Sequence, residues 1–387
     1  MEYKNEETIK ILSYNILAQS LICDSLQITE EQIKKLDYLD YDYRINKIFE
    51  IIDKLHPDIC LFQEYEHKGK LKEILNKNNY KYEILNKKRP GKHEEGCAIA
   101  YDITKFEIEY YSSLELRLDN QNYNYKNKYN NFTKKKNQSS SIYEKENVAI
   151  YVFLKSIKTN FYYLIICSHL LFNANRGDIK LGQIYQIIQG ALLYKNYYHK
   201  INNITTILGG DLNSTPKSAI YEYITSNSLD VEYINKANLS GQTNKNYKTD
   251  TSFADINYDW YNEIINTYPK FENHHIVLNN NSKKNKKKDY YDYYDDYDDN
   301  NEDNKKGLIL ENKLPMKSFY KEKNGKEPDM TSLSTAFTGT FDFLFYNTDL
   351  NLTINSVLEV PKISFDLPDK DNPSDHLPLF VEFNIKN

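Results

Sequence analysis

Apolar stretches of this chain keep ending on a side chain that can do chemistry. The stretch TIKILSY closes on Asn15, DICLFQ on Glu64, FYYLIICS on His169, and TTILGG on Asp211, with Asn213 two residues further on. FTGTFDFLFY carries Asp342 in its middle, and Ser374-Asp375-His376 stands just before the last apolar run. A carboxylate at the end of a buried strand is costly unless it is paired or binds a metal. One such residue is ordinary; a set of them points to a shared site at one edge of a sheet sandwich. Asp, Glu and Asn without Cys make an oxygen-rich donor set, which suits Mg²⁺ or Mn²⁺. Two histidines with no third and no HxxxH spacing speak against a catalytic zinc. Carboxylate, imidazole and metal together fit hydrolysis of a phosphate ester, in which phosphate charge is neutralised and a carboxylate or histidine activates water.

Strands must carry these residues to one place. Alternating or continuous apolar runs predict strands over 8–14, 58–63, 80–85, 97–101, 106–111, 148–157, 161–168, 204–209, 340–346, 352–360 and 377–385. Residues 44–55 place Ile45, Ile48, Phe49, Ile52 and Leu55 on one helical face, and Pro57 stops that helix. Asp178 is expected to cap a helix to about residue 198, with Leu181, Ile184, Ile188 and Leu192 inward. Thr215-Pro216 is expected to open a short helix as N-cap and first residue. Long strands mixed with helices and hairpin-length loops predict an α/β fold: two mixed β-sheets packed as a sandwich flanked by helices. No GxGxxG or GxxxxGKS follows a strand, which excludes a nucleotide-cofactor dehydrogenase or a P-loop motor.

The balance of composition fits one catalytic domain over residues 1–387 with two insertions. Mean hydropathy is −0.74, yet 36 Tyr and 17 Phe are too many aromatics for a disordered chain. Polar, low-complexity insertions at about 119–146 and 279–306 reconcile the two. Residues 289–303 hold eight carboxylates, and setting them aside turns the formal charge of −5 into +3. A lysine cluster at 283–288 precedes them, so a basic patch meets an acidic one. No apolar run is long enough to span a membrane, and the N-terminal residues have no secretory h-region. Four cysteines without CxxC spacing read as buried, reduced thiols, which suits the cytoplasm or nucleus.

The motifs also occur in a familiar order. LSYNILAQ (12–19), FQE (62–64), GCAIAY (96–101), SHLLFNANRGDIKLGQ (168–183), GGDLNSTP (209–216), GTFDFLFY (339–346) and SDHLP (374–378) resemble the endonuclease/exonuclease/phosphatase superfamily. They are most similar to its carbon-catabolite-repression-4-type branch of deadenylases, nocturnin and Angel proteins. HLLFNANRGDIKLGQ, and SGQ at 240–242, resemble Angel sequences most. The resemblance runs from about residue 9 to 385. It implies Glu64 as principal Mg²⁺ ligand with Asn15 and Asp375 beside the metal. Asp211 would position or deprotonate water, Asn213 would steady the phosphate, and His376 would be the catalytic imidazole oriented by Asp342. His169 would face it across the phosphate. Asn147, Arg176 and Phe337 are the candidates for holding substrate, Phe337 by stacking on a base. Ala174 and Asn175 stand where the family has Pro and Arg.

The activity so implied is that of a metal-dependent hydrolase acting on RNA 3′ ends, including poly(A). A 3′–5′ exoribonuclease of the deadenylase class is the first expectation. An RNA 2′,3′-cyclic phosphatase of the Angel type and a catalytically silent RNA- or protein-binding scaffold are the alternatives. Docking through leucine-rich repeats is not expected.

Overall fold

The computed structural model describes residues 6–66, 69–116, 146–198, 200–201, 204–232, 234, 239–242, 258–267, 269, 271–274, 307–333, 338–363 and 367–387. Residues 119–145 and 279–306 of the expected insertions lie outside these, whereas Glu146 lies inside and is bonded into the fold.

In chain order the first strands are β1 (Glu6–Asn15), β2 (Ile59–Glu66), β3 (Tyr82–Lys88), β4 (Glu95–Asp102), β5 (Phe106–Glu115), β6 (Val148–Ser156), β7 (Tyr162–His169) and β8 (Ile204–Asp211). Then come β9 (Ser228–Asp230), β10 (Phe271–His274), β11 (Ile309–Glu311), β12 (Lys317–Ser318), β13 (Ser332–Leu333), β14 (Thr338–Gly339), β15 (Asp342–Asn347), β16 (Asn351–Val357) and β17 (Leu379–Lys386). The helices are α1 (Ile22–Leu26), α2 (Glu30–Ile33), α3 (Tyr41–Leu55), α4 (Lys70–Lys77), α5 (Gly177–Tyr197), α6 (Ala219–Thr225), α7 (Tyr258–Ile265) and α8 (Phe319–Asn324).

One sheet runs β16-β17-β1-β2-β4-β3 and the other β10-β5-β6-β7-β8-β15-β12. Each is mixed: β1–β2 and β7–β8 are parallel, and the other pairs are antiparallel. Alternate residues of each strand feed different cores, as the period of two requires. From β1 and β2, Ile9, Ile11, Ile59 and Leu61 meet Ile150, Val152, Ile165 and Cys167 between the sheets. Their neighbours Leu12, Tyr14, Cys60 and Phe62 pack under α3 and α4. Tyr151, Phe153, Leu164 and Ile166 pack under α5 on the other outer face. The order of layers is thus helix, sheet, sheet, helix.

Helix starts differ from expectation where a better cap competes. Helix α3 begins at Tyr41 because the Asp40 side chain accepts the Asp42 and Tyr43 N–H groups. Asp178 does not cap α5; it lies inside the first turn and binds the Arg176 guanidinium instead. Helix α6 starts at Ala219, capped by Ser218, while the Thr215 N–H goes to the Ser240 carbonyl. Helix α4 was hidden by its lysines, although it buries Leu71, Ile74 and Leu75.

Candidate active site

Strand polarity gathers the polar termini. Asn15 pairs with Gln63 across parallel β1 and β2, and His169 pairs with Asp211 across parallel β7 and β8. Strand β15 is antiparallel to β8 and begins at Asp342, directly opposite Asp211, rather than carrying that residue in its middle. The segment before β17 arrives beside it, with His376 bridged to Ser332. A hydrogen bond of 3.2 Å from Asn15 Nδ2 to Asp211 Oδ2 ties the two sheets at this edge.

Backbone irregularities aim the side chains. The β2–β4 register shifts between Gln63 and Tyr65, so Glu64 occupies a bulge with φ of +56°. A bulge turns one side chain out of strict alternation, and here it delivers the carboxylate to the strand end. Leu17 and Asn213 share this left-handed conformation, with φ of +52° and +46°. Such conformations cost energy in non-glycine residues and cluster where surrounding contacts over-determine them. Gly210, with φ of +149°, answers a different need: a Cβ there would collide with the Ser168 carbonyl. Glycine therefore allows β7 and β8 to stay paired out to His169 and Asp211.

Asp211 is the hub. Its Oδ1 accepts the Asn213 N–H at 2.9 Å. Its Oδ2 faces Asn15 Nδ2 at 3.2 Å, His169 Nε2 at 3.4 Å and His376 Nε2 at 3.6 Å. On its flank, Asp342 Oδ2 lies 2.8 Å from His376 Nδ1 and accepts Thr331 Oγ1 at 2.6 Å. Burial alone would lower the His376 pKa, but the Asp342 and Asp211 carboxylates outweigh it and hold the imidazole protonated well above its ordinary range. This pair can present a positive Nε2 to a phosphate and give a proton to a leaving oxygen. On the other flank, Asn213 Nδ2 bonds His169 Nε2 at 2.9 Å and donates to the Leu170 carbonyl at 3.0 Å.

A supporting layer fixes these groups, and most of it was invisible in the sequence. Arg44, 1% exposed on α3, donates to the carbonyls of Ile16, Leu17 and Pro373 and to Gln19 Oε1. It joins the loop after Asn15 to the loop before Asp375. Lys180, fully buried on α5, donates to Asn213 O at 2.7 Å and Gln242 Oε1 at 2.5 Å. Burial lowers its pKa to about 7. Gln183 accepts the Leu171 N–H and donates to Asn147 Oδ1, each at 3.0 Å.

Two candidate substrate ligands are already engaged. Asn147, buried, donates its Nδ2 to the His169 carbonyl at 2.9 Å and accepts Gln183 Nε2 on its Oδ1, so it positions the histidine strand. Arg176 forms a two-bond fork with Asp178 at 3.0 and 2.8 Å. Phe337 lies outside the described residues.

The donor set fits a divalent cation. Glu64 Oε1 and Oε2 accept one hydrogen bond each, from Asn15 Nδ2 at 3.1 Å and Ala18 N–H at 3.0 Å, which leaves lone pairs on both oxygens. Burial, reinforced by Asp375 and Glu95, raises the Glu64 pKa, the signature of a carboxylate short of positive charge. Asn15 turns its NH₂ toward the carboxylates while its oxygen accepts the Leu17 N–H, so it orients Glu64 and Asp211. Asp375 stands near, steadied by Ser25 Oγ at 2.6 Å. Asp211, Asp342 and His376 also bring donor atoms within 4.8 Å of one another, but Asp342 and His376 are bonded together. Glu64, with Asp375 beside it, is therefore the better holder. A bound cation would supply Lewis-acid neutralisation of phosphate charge.

A model described as the Endonuclease/Exonuclease/phosphatase family matches residues 12–376. The chain belongs to this family. Within it, the chain is similar to carbon catabolite repressor protein 4 homolog 3 of Arabidopsis thaliana, 27% identical over 97% of this chain and 75% of that protein. Protein angel of Drosophila melanogaster is 27% identical over 58% of each chain. The crystal structure of ANGEL2, a 2′,3′-cyclic phosphatase, in complex with adenosine-2′,3′-vanadate shares the fold. Its TM-score is 0.69 at 20% identity, covering 100% of this chain and 98% of that one. The family fold is the two-sheet sandwich described above, and its members are divalent-metal-dependent hydrolases of phosphate esters.

Proposed function

We propose that this chain hydrolyses the terminal 2′,3′-cyclic phosphate of RNA, using Mg²⁺ or Mn²⁺ held by Glu64 and Asp375. The observation that carries this reading is where the Angel-like residues sit. Within SHLLFNANRGDIKLGQ, His169 faces Asp211, Lys180 holds the Asn213 carbonyl, and Gln183 holds the loop after His169. From SGQ, Gln242 accepts from Lys180, and Ser240 Oγ donates to the Ala174 carbonyl at 3.1 Å. The segments most like Angel sequences thus build the wall of the site itself. ANGEL2, which shares the fold, is described as a cyclic phosphatase. Asp211 orients the attacking water, protonated His376 serves the leaving oxygen, and His169 with Asn213 steadies the phosphoryl oxygens. A cytoplasmic or nuclear location accompanies this proposal.

A 3′–5′ exoribonuclease of the deadenylase class is the second reading, supported by the likeness to the carbon catabolite repressor protein 4 homolog. The test uses two 5′-labelled RNAs, one ending in 3′-OH and one in 2′,3′-cyclic phosphate, with Mg²⁺. Opening of the cyclic end to a 2′- or 3′-phosphate, or release of that phosphate by a second hydrolysis, without shortening supports the proposal. A ladder from the 3′-OH RNA with an untouched cyclic end overturns it in favour of the exoribonuclease.

A further inference from the structure

The pair of Asp342 and His376 is held by a residue outside the motifs of the sequence. Thr331, fully buried, lies between α8 and β13, apart from both β15, which begins at Asp342, and the segment that carries His376. Its hydroxyl meets three partners. Oγ1 accepts the N–H groups of Phe341 at 2.9 Å and Asp342 at 3.1 Å, and it donates to Asp342 Oδ2 at 2.6 Å. A threonine oxygen has two lone pairs and one proton. Backbone N–H groups take both lone pairs, so the proton is left for the carboxylate.

The other half of that carboxylate is bare. Asp342 Oδ1 is buried and has no hydrogen-bond partner among the described residues. The group is held through Oδ2, which Thr331 shares with His376 Nδ1 at 2.8 Å. The Thr331 backbone closes the frame on both sides. Its N–H donates to Gly339 O at 2.8 Å, three residues before Asp342, and its carbonyl accepts the Leu377 N–H at 2.7 Å, directly after His376. One residue thus ties the strand of the aspartate to the segment of the histidine and sets the direction of the carboxylate between them. An imidazole bonded at Nδ1 to a carboxylate that cannot turn points its Nε2 one way, here to Asp211 Oδ2 at 3.6 Å.

We propose that Thr331 is a positioning residue, whose hydroxyl fixes the Asp342 carboxylate so that His376 Nε2 faces the phosphate ester beside Asp211. The effect on turnover rests on the function proposed above; the effect on the geometry of the pair does not.

The test is a double-mutant cycle on cyclic-phosphate RNA with Mg²⁺: wild type, Thr331→Val, Asp342→Asn and the double variant, beside Thr331→Ser. Thr331→Val is expected to lower kcat by roughly 10- to 150-fold with KM unchanged, the loss of one hydrogen bond to a charged group. Thr331→Ser should keep the wild-type kcat. In the Asp342→Asn background Thr331→Val should cost no further activity, because the carboxylate it steadies is gone. An equal loss in both backgrounds overturns the inference, since the side chain then only supports the fold. So does an unchanged kcat, a loss confined to KM, or a Thr331→Ser protein as slow as Thr331→Val. If Thr331→Val does not fold, Thr331→Cys takes its place; its thiol is a weaker donor and acceptor, and a kcat no lower than that of Thr331→Ser overturns the inference. A second readout needs no turnover: the low-field proton resonance of His376 Nδ1–H. It should coincide in wild type and Thr331→Ser and be displaced in Thr331→Val or Thr331→Cys; an undisplaced resonance overturns the inference. Wild type that opens no cyclic end removes the proposed function and leaves this resonance to decide the positioning role.

Discussion

Replacing Lys180 by Met takes a buried amino group away from the Asn213 carbonyl and should be read in two ways. The first is stability against pH. Burial lowers the Lys180 pKa from 10.5 to about 7. Between those values the unfolded chain holds a proton that the folded chain lacks, so wild-type stability rises with pH. It falls again as pH drops toward 7, and the dependence ends below that. The slope is at most about 1.4 kcal/mol per pH unit, which accumulates to roughly 4 kcal/mol over three units. Methionine binds no proton. The stability difference between wild type and Lys180→Met should therefore grow in favour of wild type from pH 7 to 10 and stay level at pH 5–6. The second readout is activity. The variant leaves Asn213 O without the donor now at 2.7 Å. An orphaned buried acceptor costs about 1–3 kcal/mol. If that cost falls on the geometry that grips the phosphate, kcat drops by roughly 5- to 150-fold. Urea unfolding at a series of pH values and steady-state kinetics on cyclic-phosphate RNA check both. Parallel stability curves from pH 7 to 10 would refute the buried neutral lysine, and an unchanged kcat would refute its hold on Asn213.

Other perturbations separate the remaining parts. Asp342→Asn keeps the shape but removes the charge 2.8 Å from His376 Nδ1; kcat should fall by about 10³–10⁴-fold, with the melting temperature little changed. Glu64→Gln should abolish activity and the melting-temperature rise that Mg²⁺ gives wild type. Because burial raises the Glu64 pKa, the metal-free variant should melt above metal-free wild type at pH 7, as calorimetry would show. Arg44→Ala strands the carbonyls of Ile16, Leu17 and Pro373 and should cost about 3–5 kcal/mol in denaturant unfolding.

The strand ends were legible because each breaks an apolar run with one polar residue, as in ITTILGGD before Leu212. Order and strand polarity then converge on one edge. What the sequence concealed was mostly local geometry. Nothing in FQEY announces that Glu64 sits in a bulge, because a bulge is defined by the partner strand. Arg44 and Lys180 look like solvent-facing charges on their helices, yet each turns inward to meet backbone or amide oxygens supplied from distant segments. Asn147 and Arg176 are polar residues near the motifs, and only the fold reveals that their hydrogen bonds are spent on His169 and Asp178. Ser218, not Thr215, caps α6 because its side chain accepts the Tyr221 N–H of the first turn, three residues further along the chain than the Thr-Pro pair suggests.

In the proposed function Asp211, where the two sheets meet, directs hydrolysis of an RNA 3′-terminal phosphate ester. Single-turnover hydrolysis of cyclic-phosphate RNA by wild type and Asp211→Asn, each with Mg²⁺ and with chelator, tests it most directly. Rapid opening of the cyclic end is expected only from wild type with Mg²⁺, and none in the other three reactions. Asp211→Asn that opens the end at the wild-type rate would contradict it.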